Sequence, residues 1–107
     1  MTMSSSRLSY SAEYDLMQKA LAEPKGLRTP FEDRASAYTY RLRLNRARQL
    51  ERKLNKEAFK PGTKMHGASI YDELIFTIQI SDEGTDDQLF WVYLKKALAP
   101  THVETIE

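Results

Sequence analysis

No cysteine occurs in the chain, so it can form neither a disulfide nor a thiolate metal site, and zinc fingers are excluded. A reducing, cytoplasmic setting is the simplest home for such a composition. The sequence also lacks any run of about 18 apolar residues, and its opening MTMSSSRLSY has no apolar stretch behind a basic end, so neither a membrane span nor export is expected. Histidine is limited to His66 and His102, each in a loop-like segment with no second ligand or nucleophile at useful spacing. The acidic stretch SDEGTDD lacks the spacing and terminal glutamate of a calcium loop, and no glycine loop of the phosphate-cradling kind is present. A non-enzymatic protein without metal or cofactor is the expectation.

What is present is apolar enough to fold. The 107 residues are 41% hydrophobic and 29% charged, which fits one small domain and argues against a disordered chain. Net charge is only +1, but it divides sharply along the sequence. Residues 34–64 hold ten Lys or Arg against Glu51 and Glu57, whereas residues 65–90 hold six acids (Asp72, Glu73, Asp82, Glu83, Asp86, Asp87) and no Lys or Arg. One cationic and one anionic surface follow from that separation.

Periodicity divides the chain into an α+β order. Residues 1–8 read as a disordered terminus, residues 9–97 as a single domain and residues 98–107 as an irregular tail. Ser9 or Ser11 is placed to cap a short helix over AEYDLMQKALA, stopped by Pro24 and Gly26. Thr29, Pro30 and Glu32 occupy the cap, first and third positions of a second helix, which runs unbroken to Phe59 before KPG ends it. SIYDELIFTIQI then changes the apolar period to two, and after the SDEGTDDQ turn LFWVYL forms the second arm of an antiparallel hairpin over 70–95. A lone two-stranded hairpin is marginal in water, so a dimer joining two hairpins edge to edge into a four-stranded sheet is expected, the alternative being a monomer with the helices packed over the hairpin.

Two residue sets carry candidate chemistry. On a helical wheel Arg34, Arg41, Arg48, Arg52 and Lys56 fall in one narrow sector of the long helix, with Arg43 and Arg46 as secondary positions. Guanidinium groups in a row can follow a phosphate backbone, and an equally ordinary use of such a row is to solvate an exposed helix face. One apolar stripe of that helix comprises Phe31, Ala35, Tyr38 and Leu42, and another comprises Tyr40, Leu44, Ala47, Leu50, Leu54 and Ala58. In LFWVYL, Leu89, Trp91 and Tyr93 share one face and Phe90, Val92 and Leu94 the other; one face must be core, and the second is free to stack unpaired bases or to meet a partner.

The TPF segment followed by RASAYTYRLRLNRARQLERK and SIYDELIF resembles short uncharacterised proteins of phages and mobile elements, across residues 27–78. The resemblance implies an accessory role, binding nucleic acid or a host protein, and carries over no site residue. The function expected is non-catalytic binding of nucleic acid, DNA ahead of RNA, by a homodimer or higher oligomer that contacts phosphates through the basic helix face. The alternative is a protein-interaction module or inhibitor of a host enzyme, acting through the acidic hairpin and exposed aromatics.

Overall fold

A computed structural model describes residues 9–97, and the expected disordered terminus 1–8 and irregular tail 98–107 lie outside the described residues. The element order is α1 (Ser11–Ala22), β1 (Leu27–Phe31), α2 (Arg34–Ala58), a short 3-10 turn (Ile70–Glu73), β2 (Leu74–Ser81) and β3 (Leu89–Lys96). The three strands make one antiparallel sheet in the order β1-β3-β2, and both helices pack against it. The α+β class is as the sequence indicates, but the sheet has a third strand from the same chain.

That strand replaces the expected start of the long helix. Thr29 and Pro30 lie in β1, paired with Val92 and Trp91 of β3, and α2 begins four residues later at Arg34. Asp33 is the true cap: its Oδ1 accepts from the Ser36 backbone N–H at 2.7 Å, and its Oδ2 accepts from the Ser36 hydroxyl at 3.0 Å. The Thr-Pro-x-Glu pattern imitates a capping box, yet Leu27, Thr29 and Phe31 alternate inward with period two, and sheet pairing outweighs the local helix signal. Pro30 is tolerated because β1 is an edge strand, where a missing N–H can face outward. Gly26 permits the entry into β1. Its φ is +79°, and a Cβ there would sit 2.5 Å from the Leu94 carbonyl oxygen.

Helix α1 carries no side-chain cap: Tyr10 holds the capping position in place of Ser9 or Ser11. The start of the expected hairpin also shifts. Residues 70–73 form a 3-10 turn because Ser69 and Asp72 cap it reciprocally, with Ser69 Oγ accepting from the Tyr71 N–H and Asp72 Oδ2 accepting from the Ser69 N–H, each at 3.0 Å.

The core lies between the inner sheet face and the helices. Met17, Leu44, Leu74, Val92 and Leu94 are fully buried there, with Tyr14, Phe76 and Phe90 around them. The Tyr14 hydroxyl donates to the Ala47 carbonyl at 2.7 Å and the Tyr71 hydroxyl to Gln18 at 3.0 Å, so the aromatic residues between the layers keep their polar tips satisfied. At about 1.5 Å per residue the 25 residues of α2 span about 38 Å. The segment after the helix folds back along its last turns, with the Asn55 amide donating to the Ala68 carbonyl at 2.7 Å and the Ser69 hydroxyl donating to Glu51. His66 belongs to this return, its Nδ1 lying 2.8 Å from the Phe59 carbonyl oxygen.

Candidate nucleic-acid interface

The seven cations singled out on α2 do not form one free row. Arg48 lies one turn beyond the buried Leu44, so its side chain runs along the helix–sheet border. Its Nη1 donates to the carbonyls of Tyr71 at 2.9 Å and Leu74 at 2.7 Å, its Nη2 donates to Asn45 Oδ1 at 3.1 Å, and the guanidinium lies 4.4 Å from the Phe76 ring centroid. Burial lowers its pKa below the usual arginine value, with a further push from Arg52 and an opposing pull from Asp72. Arg52 pairs with Asp72 at 2.7 Å, and Arg43 binds Glu13 through Nε at 2.9 Å and the Ser9 carbonyl through Nη2 at 2.8 Å. These three arginines tie α2 to the 3-10 turn and to α1.

Arg34 and Arg41 keep their charges near the surface, both over Tyr38, at 5.9 Å and 4.9 Å from its ring centroid. Arg46 and Lys56 are exposed and have no hydrogen-bond or ion-pair partner among the described residues. Tyr38 and Leu42 of the first apolar stripe face the same solvent, 44% and 46% exposed, whereas Phe31 lies in β1 against the core and the second stripe supplies the buried Leu44 and Ala47. A wheel cannot distinguish two comparable stripes without knowing where the sheet lies.

The aromatic strand resolves differently. Phe90, Val92 and Leu94 are the core face of β3, which turns Leu89, Trp91, Tyr93 and Lys95 to the other side of the sheet. Because β3 is the central strand, Trp91 and Tyr93 stand in the middle of that side. Trp91 is flanked by Gln79 and Pro30, and Tyr93 by Thr77 and Arg28. None of the strand residues on this side is buried, and none is acidic.

Arg28, which the sequence reading did not single out, organises the open face. Its guanidinium lies 4.0 Å from the Trp91 ring centroid, and its Nη1 approaches the Tyr93 hydroxyl at 3.4 Å. Lys95 Nζ stands 5.0 Å from the Tyr93 ring centroid. Trp91 Nε1 donates to Ser81 Oγ at 3.0 Å, which fixes the indole edge while Arg28 covers one of its faces. The acids Asp82, Glu83, Asp86 and Asp87 sit in the β2–β3 turn beyond the Trp91 end, so the face runs from an anionic turn to a cationic end at Arg28 and Lys95. The only sequence signal for Arg28 would have been its place in a strand, and LRTPF reads locally as a helix approach.

Among the described residues no group of three His, Asp or Glu side chains could hold a metal ion, and no helix is long and apolar enough to cross a membrane. No protein-family model, no curated protein and no solved structure matches this chain.

Proposed function

We propose that the protein is a non-catalytic binder of single-stranded nucleic acid and that the open face of its sheet is the contact surface. The observation that carries this reading is the pairing of Trp91 and Tyr93 on the central strand with Arg28 and Lys95, on a face whose strand residues include no acid. Residues two apart on a strand are separated by about 7 Å, far enough for two successive unstacked bases to lie one on each ring. Arg28 and Lys95 then meet the phosphates, Arg28 leaving the indole face as a base takes its place. Thr77 and Gln79 offer hydrogen bonds to base edges. The exposed cations of α2, Arg46 and Lys56 with Arg34 and Arg41, lie on the helical layer and act through their field, which raises the encounter rate without touching the bases.

Self-association accompanies this function. The β2 edge, LIFTIQIS, carries no charge and no proline, whereas the β1 edge is guarded by Arg28 and Pro30. Two copies pairing β2 to β2 extend the open face across a six-stranded sheet. Sedimentation at micromolar concentration tests this pairing: dimers are the expected result, and a strict monomer removes it.

The binding site is tested by fluorescence anisotropy with labelled single- and double-stranded oligonucleotides at two salt concentrations. Tyr93→Leu removes a stacking platform worth about 1–3 kcal/mol per base and weakens single-strand binding accordingly. Arg28→Gln flattens the slope of log affinity against log salt by about 0.7, the value of one phosphate on a single strand. The pair Arg46→Gln with Lys56→Gln leaves affinity at high salt unchanged. Loss of binding in that pair, with Tyr93→Leu silent, would move the contact surface to α2.

A further inference from the structure

The cationic end of the open face is a shallow, open cleft. Lys25, Gly26, Leu27 and Arg28 from the entry to β1, with Tyr93 and Lys95 from β3, line a cavity of about 280 Å³. Three of the six are cations, none is an acid, and no hydrogen bond or ion pair ties the lysines to an acid among the described residues. The close approach at Gly26 shapes the floor. A Cβ at that position would lie 2.9 Å from Lys95 Cγ, so the lysine stem passes close over the glycine, and its ammonium stands 5.0 Å from the Tyr93 ring centroid.

We infer that this cleft takes the terminal phosphate monoester of a single-stranded oligonucleotide whose end bases stack on Tyr93 and Trp91. The inference rests on the proposed function of the open face. Two features of the charge distribution point to an end and not to an internal segment. A phosphate monoester carries about −1.5 to −2 near neutral pH, which the three cationic residues lining one cleft match better than they match the single charge of a diester. The acidic turn closes the opposite end of the aromatic row, so a strand extending along β3 past Leu89 would bring its phosphates against Asp82, Asp86 and Asp87. Phosphate is therefore favoured at the Lys25 and Lys95 end, where Glu73, just before β2, is the nearest acid along the neighbouring strand. Arg28 serves as the link between the two parts, since the residue lines the cleft while its guanidinium lies over Trp91.

The experiment is calorimetric titration of the full chain with short unlabelled oligothymidylates carrying a 5′-phosphate, a 3′-phosphate or hydroxyls at both ends. One phosphorylated form is expected to bind at least about tenfold more tightly than the hydroxyl-ended form, and which of the two does so fixes the strand polarity. Lys25→Gln, an exposed turn residue outside the stacking face, is expected to remove most of that preference while the hydroxyl-ended form binds as before; unchanged far-ultraviolet circular dichroism verifies the fold. Equal affinity for all three oligonucleotides, or a preference undiminished in Lys25→Gln, overturns the terminal-phosphate site and leaves the open-face reading standing. Failure of all three to bind overturns both.

Discussion

Replacing Arg48 by methionine separates a structural arginine from a ligand-binding one. The methionine keeps a flexible stem against Phe76 but removes the donors that reach the Tyr71 and Leu74 carbonyls at 2.9 Å and 2.7 Å. A hydrogen bond from a charged donor contributes about 1.5–3 kcal/mol. The two bonds set the loss near 3–6 kcal/mol, and the desolvation of a partly buried cation, the same burial that lowers the Arg48 pKa, offsets some of it. A net loss of about 3 kcal/mol is expected, from a total that for a domain of this size is about 5–15 kcal/mol. At about 4–8 °C per kcal/mol, the thermal midpoint should fall by roughly 12–24 °C. Arg48→Lys retains the charge and can reach one carbonyl at a time, so its loss should be roughly half as large. Thermal and urea unfolding followed by circular dichroism measure both variants, and oligonucleotide affinity is measured at a temperature where both are folded. A midpoint within a few degrees of the parent, with nucleic-acid affinity abolished, would refute the reasoning and return Arg48 to the binding surface.

Three further outcomes follow from local geometry. Asp33→Ala removes the cap of α2 and should destabilise the fold by about 1 kcal/mol in urea unfolding, with binding of the folded protein unaltered. Gly26→Ala forces a side chain into a positive-φ position against the Leu94 carbonyl and should cost more than about 2 kcal/mol in the same measurement. Burial raises the Tyr40 hydroxyl above its usual 10.0, with a smaller contribution from Glu13 and an opposing one from its contact with Thr29. The unfolded chain ionises first, so stability tied to Tyr40 is intact below about pH 10 and declines as pH rises from there through the folded value; Tyr40→Phe should lessen that decline and change nothing of the pH dependence below it.

The parts of the fold legible in the sequence are those where local chemistry and tertiary need agree. The Tyr14 and Met17 stripe of α1, the end of α2 before Pro61 and the alternation of Leu74, Phe76 and Ile78 all point the way they pack. β1 was not legible because its five residues contain a proline and a helix-start signature, and its reason for being extended lies in β3, 59 to 67 residues away. The same distance concealed the open face. LFWVYL announced two faces without saying which was core, and Arg28 joins Trp91 only through the β1–β3 register. The arginines of α2 were recognisable as a group, but whether each meets a carbonyl, a carboxylate, a ring or solvent depends on the 3-10 turn and on α1, and neither is encoded within the helix itself.

Trp91 is the chain's one tryptophan and stands in the middle of the open face, so its fluorescence reports directly on whether bases stack there. Titration with a single-stranded oligonucleotide at low salt should quench the emission saturably, with the midpoint shifting to higher concentration as salt is raised and with a double-stranded oligonucleotide of the same sequence quenching far less. Emission that stays unchanged while anisotropy reports binding of the same oligonucleotide would contradict the account, because the nucleic acid would then lie elsewhere on the protein.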